Sequence, residues 1–345
     1  MIGRRKSLIR VTGAFLAVFL FTGSLHLLRA SDSRAPDFPC GAPSRGSSII
    51  DIPLGAAGSE IAAILYEKKV VASSGAFFAL AVTDQRAERI APGLHEISKN
   101  LCAKEALIQL LDANRIKNLV KIFEGAWNSE IIDRMVEIGF SRREILQAID
   151  SITLPSGISE LEGLLFPAQY SFASGTSALE AINIMAKRGE SEMMKLGIFE
   201  KSGKYDPQSL ITIASIIQAE ADEEDFPKVS RVIRNRLEKG MPLQMDSTIH
   251  YIKSDRGKIF LSTRSTYLNS PYNTYRNYRL PPGPIGNPGK MALQAALKPA
   301  KGDWLYFITV APGDTRFTSS YDEFSQWKIE YKRNLRLGAF EKEAK

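Results

Sequence analysis

The pattern of apolar and polar positions divides the chain into a small part and a larger part. Residues 49–115 contain short runs typical of a small α/β module. We expect a strand at Ile49–Pro53, followed by a helix at Ser59–Lys68 and further helical pattern at 77–90. A turn that enters a second strand is predicted at 91–97, and a last amphipathic helix at Lys104–Leu111.

The second part, residues 116–340, is larger and is predicted to be α+β. Asp206 is a good N-cap, and Pro207 suits the first position of a helix that runs to Glu220. Further helices are predicted at 128–138, 142–149, 177–188, 227–239, 290–297 and from about Tyr321, with strands at 120–123, 304–310 and 316–319.

Glu220 ends an otherwise apolar helical run. Ile216 and Ile217 precede it by four and three residues, so the carboxyl group shares a face with both isoleucines. Burial against aliphatic groups raises the pKa of a carboxyl from about 4.3, and a value of ~6–7 suits a group that donates and later accepts a proton. The alternative is a helix end that reaches solvent beside the acidic residues 222–225.

The N-terminus carries a targeting signal. Arg4, Arg5, Lys6 and Arg10 precede an apolar run, Val11–Leu28. The run favours an uncleaved, single-pass membrane anchor in residues 1–30 over a signal peptide, because Leu28 fits poorly at the −3 position of a cleavage site. The positive-inside rule places the N-terminus in the cytoplasm and the rest outside. The Ser-, Pro- and Gly-rich residues 31–48 are predicted to be a linker.

Composition excludes several classes of function. Four of the charges in the net +7 lie in that N-terminal stretch, which leaves +3 for the rest, so no nucleic-acid partner is expected. The three histidines are scattered, and neither a metal site nor a cofactor is expected. Cys40 and Cys102 could pair in an oxidising compartment, but the sequence leaves the pairing open.

Polar and aromatic residues downstream of Glu220 are of the types that bind saccharides. Sugar hydroxyls need amides, hydroxyls and carboxylates, and the apolar faces of sugar rings need aromatic side chains. Six residues provide this mixture and are the candidate substrate-binding residues: Gln244, Asp246, Tyr272, Asn273, Tyr275 and, in an earlier segment, Glu162. Each of them taken alone also fits a turn or the surface.

The order of the segments is more specific than any single one. The motifs at 161–167, 214–220, 232–237, 243–248, 272–275 and 280–289 resemble those of the endolytic murein transglycosylases, the YceG-like family. The resemblance covers residues 49–335. It implies a membrane span, a LysM-like module at 49–115 and a catalytic domain at 116–340.

The resemblance also implies an activity. Members of the family cleave peptidoglycan strands between MurNAc and GlcNAc without water and leave 1,6-anhydro-MurNAc ends. The family's catalytic glutamate falls on Glu220, which would act first as acid and then as base. Nascent glycan strands beside the bacterial inner membrane would be the substrate, with the catalytic domain on the extracytoplasmic (periplasmic) side. Peptidoglycan synthases and elongation or division proteins would be partners.

Two positions depart from the family pattern. Gln218 stands where the family commonly has the first glutamate of Glu-x-Glu, and Ala168 stands where it usually has aspartate. Residue 218 should point away from Glu220 on the helix, so we expect tuned rather than lost activity. A catalytically weakened relative is the alternative that these two positions leave open.

Two other functions compete with a lytic transglycosylase. A lysozyme-like muramidase would use a second carboxylate, Asp246 or Glu162, to activate water. A non-catalytic wall-binding scaffold would keep the glycan-binding surface and be indifferent to Glu220. The chemistry of the product ends distinguishes the two enzymes, and glycan binding without cleavage identifies the scaffold.

Overall fold

The fold is known from a computed structural model that describes residues 35–44, 46–200, 204–256 and 263–340. The predicted anchor, Val11–Leu28, lies outside the described residues. In those ranges no helix has the length and apolar character needed to cross a membrane. The chain divides into two compact units between Lys117 and Asn118, about two residues beyond the boundary expected from sequence.

The N-terminal unit has the predicted α/β composition. Its elements are β1 (Ser47–Ile52), α1 (Gly58–Glu67), α2 (Ser74–Thr83), β2 (Gly93–Ser98) and α3 (Ala103–Leu110). Strands β1 and β2 pair antiparallel. Because side chains alternate between the two faces of a strand, Ile50, Ile52 and Ile97 point into a core that the helices share. The mixed fold is confirmed, whereas the LysM-like identity of the unit stays a prediction.

The segment before β1 is attached to this unit rather than free. Cys40 and Cys102 form a disulfide. The carboxylate of Asp37 accepts the N–H of Ala103, the first residue of α3, at 3.1 Å. The hydroxyl of Ser73 donates to the carbonyl of Pro36 at 2.7 Å. The predicted linker at 31–48 is therefore corrected over residues 36–40. Their composition suggested a free tether, but Asp37 accepts from the N-terminus of α3 and Cys40 is bonded to Cys102.

The C-terminal unit is mainly helical. In chain order its elements are β3 (Val120–Lys121), α4 (Asn128–Glu137), α5 (Arg142–Ser151), β4 (Gln169–Tyr170), α6 (Ala178–Leu196), α7 (Pro207–Glu220), α8 (Phe226–Glu238), α9 (Asp246–Lys253), α10 (Lys290–Leu297), β5 (Tyr306–Ala311), β6 (Asp314–Thr318) and α11 (Tyr321–Arg336). Strand pairs β3–β4 and β5–β6 are both antiparallel. The α+β class is confirmed.

Helix α7 is the centre of this unit. Its start is as predicted, since the carboxylate of Asp206 accepts the N–H of Ser209 at 2.7 Å and Pro207 opens the helix. Every residue from Leu210 to Ile217 is buried. Gly163 lies close to the helix with φ +89°, and a Cβ there would lie 2.7 Å from Ile211. Only glycine permits this approach, which brings the 161–165 segment onto α7.

Most predicted helices and strands are confirmed, with ends that shift by a few residues. The exceptions are the length of one helix, one missed helix and the short strand β4, which was not predicted. Helix α6 continues to Leu196, well past the predicted end at Arg188. Helix α9 is not predicted from sequence, because its first residues, Asp246, Ser247 and Thr248, are all polar and show no apolar helical period.

The disulfide gives a test of the attached N-terminal segment. We expect Cys40→Ser to destabilise the N-terminal unit by about 2–4 kcal/mol, because the bond closes a loop with a sequence separation of 62 residues. Hydrogen exchange of peptides from residues 47–117 would measure the change, with the tryptophan fluorescence of the C-terminal unit as control. Equal exchange in the variant and the parent chain would contradict the prediction.

Candidate active site

Glu220 is the last residue of α7, at the point where the helix leaves the core. The residues up to Ile217 are buried, whereas Glu220 is partly exposed. Its Oε1 accepts the backbone N–H of Ser247 at 3.0 Å. Ser247 is the second residue of α9, so its N–H has no partner within the helix. The carboxyl group of one helix thus caps the N-terminus of another, as the positive end of a helix dipole favours.

Opposing effects set the protonation of Glu220. Burial is the largest effect and raises its pKa to about 7. The hydroxyl and N–H of Ser247 lower the pKa, the charge of Asp246 raises it, and that of Arg236 lowers it. Near neutral pH the group therefore exists in both forms, as a residue that donates and then accepts a proton requires.

Asp246 and Tyr275 lie beside Glu220. The hydroxyl of Tyr275 donates a hydrogen bond to Oδ1 of Asp246. Burial, reinforced by this bond and by the charges of Asp246 and Glu220, raises the pKa of Tyr275, so the phenol stays protonated as the donor. Arg236 is buried, with 6% of the residue exposed, and its Nε donates to the carbonyl of Leu305 at 2.6 Å, which holds the guanidinium in place.

The segment 273–275 holds this arrangement in place. Thr274 Oγ1 accepts the N–H of Met245 at 2.9 Å, and its carbonyl accepts the N–H of Gln244 at 3.1 Å. Gln244 has φ +49° and an exposed side chain, which leaves its amide open to a ligand.

Asn273 is fully buried, which corrects its expected role in binding substrate. Its Nδ2 donates to the carbonyls of Thr266 and Leu268 at 3.0 and 2.7 Å, and its Oδ1 accepts the N–H of Tyr275 at 3.0 Å. Because these bonds occupy both ends of the amide, Asn273 shapes the loop that presents Tyr275.

Glu162 belongs to a second cluster, around the middle of α9. Its carboxylate accepts the N–H of Asn128 at 3.0 Å, the hydroxyl of Tyr251 at 3.2 Å and Nδ2 of Asn287 at 3.3 Å. Burial raises its pKa to about 7, against the lowering effect of Asn128 and Tyr251. Tyr272 packs on Tyr251 with ring centroids 5.2 Å apart. Glu162 and Tyr272 thus make these contacts around Tyr251, one helical turn beyond Ser247.

The Pro/Gly loop at 280–289 contacts α7 before Glu220. The N–H of Ile285 donates to Ser215 Oγ at 3.0 Å, and that of Gly289 donates to Gln218 Oε1 at 2.9 Å. The side chain of Gln218 therefore contacts the loop. The side chain of Asn287 is fully buried and donates to the carbonyl of Ala126 at 2.8 Å, which anchors the loop.

Four contributors were not singled out from sequence: Ser247, Tyr251, Arg236 and Asn287. Ser247, Arg236 and Asn287 lie inside motifs recognised in the sequence, but nothing there distinguishes their roles from those of their neighbours. Tyr251 would have been found by extending a helix from Asp246, which places it four residues after Ser247 on the same face. Within the described ranges, no three acidic, histidine or cysteine side chains are grouped to hold a metal ion.

Comparison with known proteins assigns the family. The model of the YceG-like family matches residues 50–329.

The chain belongs to the YceG-like family.

A protein from Bacillus subtilis (strain 168), named endolytic murein transglycosylase, is 32% identical over 305 residues, 82% of this YceG-like chain and 84% of its own length. A protein of the same name from Streptococcus pneumoniae (strain D39) is 32% identical over 169 residues, 47% of this chain and 31% of that protein. The crystal structure of a yceG-like protein from Listeria monocytogenes aligns with a TM-score of 0.57 and 29% identity, over 82% of this chain and 99% of that one.

The raised pKa of Glu220 predicts a pH-dependent effect on stability. The pKa of Glu220 is near 4.5 in the unfolded chain and about 7 in the folded one, so between these pH values the folded state binds more protons than the unfolded state. The free energy of unfolding therefore falls as pH rises through this range. We expect Glu220→Gln to be more stable than the parent by about 1–3 kcal/mol at pH 8 and by little at pH 4. Urea unfolding followed by the fluorescence of the three tryptophans, all in the C-terminal unit, measures this.

Glu224→Gln is the matched control, because it removes the same charge from an exposed side chain close by in the chain. It should not stabilise the unit at either pH. A Glu220→Gln variant that is no more stable at pH 8 than at pH 4, relative to the parent, would show that Glu220 is well hydrated.

Proposed function

We propose that this chain is an endolytic peptidoglycan lytic transglycosylase with Glu220 as its single catalytic acid and base. The observation that carries the proposal is the carboxyl of Glu220, with a pKa raised to about 7, partly exposed, and bonded to the N–H of Ser247. The names of the Bacillus and Streptococcus relatives support the substrate and the reaction class.

In the first step, protonated Glu220 donates its proton to the oxygen that joins MurNAc C1 to GlcNAc. The C1–O bond breaks, GlcNAc leaves as the alcohol, and positive charge develops at C1. Glu220 becomes a carboxylate, and the N–H of Ser247 stabilises its new charge.

In the second step, the C6 hydroxyl of the same MurNAc attacks C1. Glu220 accepts the hydroxyl proton and returns to its starting form, and the product carries a 1,6-anhydro bridge. Water is not consumed, so one acid that changes roles is sufficient.

Asp246 and Tyr275 are proposed to act on the sugar beside Glu220. The charge of Asp246 lies close enough to raise the pKa of Glu220, and it would stabilise positive charge at C1. The hydroxyl of Tyr275 holds that carboxylate in place. The exposed amide of Gln244 would bind sugar hydroxyls, and the half-buried ring of Tyr272 would contact a sugar face.

The same position of Asp246 favours a second candidate, a lysozyme-like hydrolase. A carboxylate near the acid could activate water in place of the C6 hydroxyl. The products would then carry reducing MurNAc ends, one water heavier than anhydro ends. Glu162 is a weaker choice for this base because its oxygens already accept from Asn128, Tyr251 and Asn287.

The location of the enzyme follows as part of the proposal. The Cys40–Cys102 disulfide suits an oxidising compartment outside the cytoplasm. The apolar run Val11–Leu28 would hold the chain in the membrane and confine cleavage to nascent strands. Peptidoglycan synthases and elongation or division proteins are proposed partners, and the N-terminal unit is proposed to bind glycan as a LysM-like module.

Mass spectrometry of digested peptidoglycan tests the proposal. The parent chain should produce muropeptides with 1,6-anhydro-MurNAc ends, and Glu220→Gln should lower their yield at least about 100-fold because it removes the acid and base. Glu224→Gln, an identical change at an exposed residue, should keep activity within about twofold.

Each alternative has its own result. Reducing ends from the parent chain, lost in Asp246→Asn, would establish the hydrolase. Glycan capture without cleavage by the parent chain would establish the scaffold. Undiminished anhydro ends from Glu220→Gln would remove Glu220 from the chemistry.

A further inference from the structure

One face of α9 connects the two acidic residues whose pKa is raised to about 7. Ser247 and Tyr251 are four residues apart on this helix and therefore share a face. The N–H of Ser247 donates to Glu220, and the hydroxyl of Tyr251 donates to Glu162. The helix thus has one polar contact with each acid, one turn apart.

Glu162 joins three segments of the C-terminal unit. Its carboxylate accepts from the first N–H of α4 at Asn128, from Tyr251 on α9, and from Asn287 in the Pro/Gly loop. Asn287 is fully buried and also donates to Asn128 Oδ1 at 2.9 Å. With these donors around it, Glu162 is built as a junction between segments rather than as an open ligand for sugar.

Aromatic contacts restrict Tyr251 to this position. Its ring meets Trp127 edge-on at 5.9 Å and Tyr272 at 5.2 Å. The guanidinium of Arg256 lies 4.0 Å from the Trp127 ring centroid, and its Nε donates to Glu130 at 2.6 Å. The contacts with Trp127 and Tyr272 restrict the ring of Tyr251. Its hydroxyl adds a direct polar link from α9 to Glu162.

We propose that Glu162 is a positioning residue that acts through Tyr251 to orient α9, and so keeps the N–H of Ser247 directed at the carboxyl of Glu220. The catalytic consequence rests on the function proposed above, whereas the structural link does not. A looser α9 would weaken the bond that favours the charged form of Glu220. The fraction of Glu220 that is protonated at neutral pH would then rise, and its carboxylate would be less stabilised after the first proton transfer.

The other charged groups near the two acids belong to different contacts. The pKa of Glu220 is raised by the charge of Asp246 on α9 itself and lowered by that of Arg236 on α8, and the charge of Glu220 raises the pKa of Tyr275. Glu162 is influenced by Arg256 and Glu130. A change confined to the hydroxyl of Tyr251 leaves all of these side chains in the chain, so its effect on Glu220 would report the link through α9.

Tyr251→Phe is the most direct variant, because it removes the hydroxyl and keeps the ring contacts. In the full chain, we expect amide hydrogen exchange in peptides covering residues 243–253 to become about fivefold faster or more, since the cap on Ser247 loosens. We expect the alkaline limb of the pH–kcat profile for anhydro-muropeptide formation to move up by about half a pH unit or more, with kcat reduced and KM unchanged. Tyr278→Phe is the control, because Tyr278 is an exposed tyrosine at 61%.

Glu162→Gln provides a second, independent variant. It keeps the size of the side chain and one acceptor oxygen but removes the charge, so the shift should have the same direction as in Tyr251→Phe. The double variant should shift no further than the larger single one, because both changes break one link.

Unchanged exchange in residues 243–253 of both variants would overturn the proposal. So would a raised KM with an unshifted alkaline limb, which would make Glu162 a direct sugar ligand. If the parent chain releases no anhydro ends, the proposed function fails, and the exchange measurement still decides whether Glu162 holds α9.

Discussion

The whole site depends on how one carboxyl group is held between the protein interior and the end of a helix. Burial at the end of α7 opposes the charge on Glu220, and the N–H of Ser247 favours it. The two effects partly offset each other, and the pKa of Glu220 is about 7. A fully exposed glutamate would stay ionised at neutral pH, and one buried without a donor would stay protonated. Only the intermediate case supplies both an acid and a base.

The fold of the C-terminal unit maintains this balance. Helix α7 is buried for most of its length, so its last residue cannot move far from the core. The close approach of Gly163 and the bonds from the Pro/Gly loop to Ser215 and Gln218 fix the helix from two directions. Thr274 and Tyr275 hold the start of α9, where Ser247 lies. These loops therefore place two helices, and the side chains of Gln244 and Asp246 stay exposed.

Sequence patterns predicted the parts of this arrangement that depend on local chemistry. The cap at Asp206, the apolar run of α7 and the isoleucines before Glu220 indicated Glu220 as the candidate acid, and the order of motifs indicated the family. Asn273 shows the limit, because an asparagine in a turn reads the same whether its amide faces a ligand or the carbonyls of its own loop. Glu162 shows another, since its partners come from three segments far apart in the chain. Tertiary contacts of this kind leave no periodic signal.

A direct titration of Glu220 tests the central claim. The carboxyl signals of the parent chain and of Glu220→Gln can be compared by difference infrared spectroscopy between pH 4 and pH 9, so that the single missing group is isolated. The account predicts that the group titrates at about pH 7. A titration near the ordinary value of about 4.5 would contradict it, because Glu220 would then be a well-hydrated carboxylate and could not donate a proton at neutral pH.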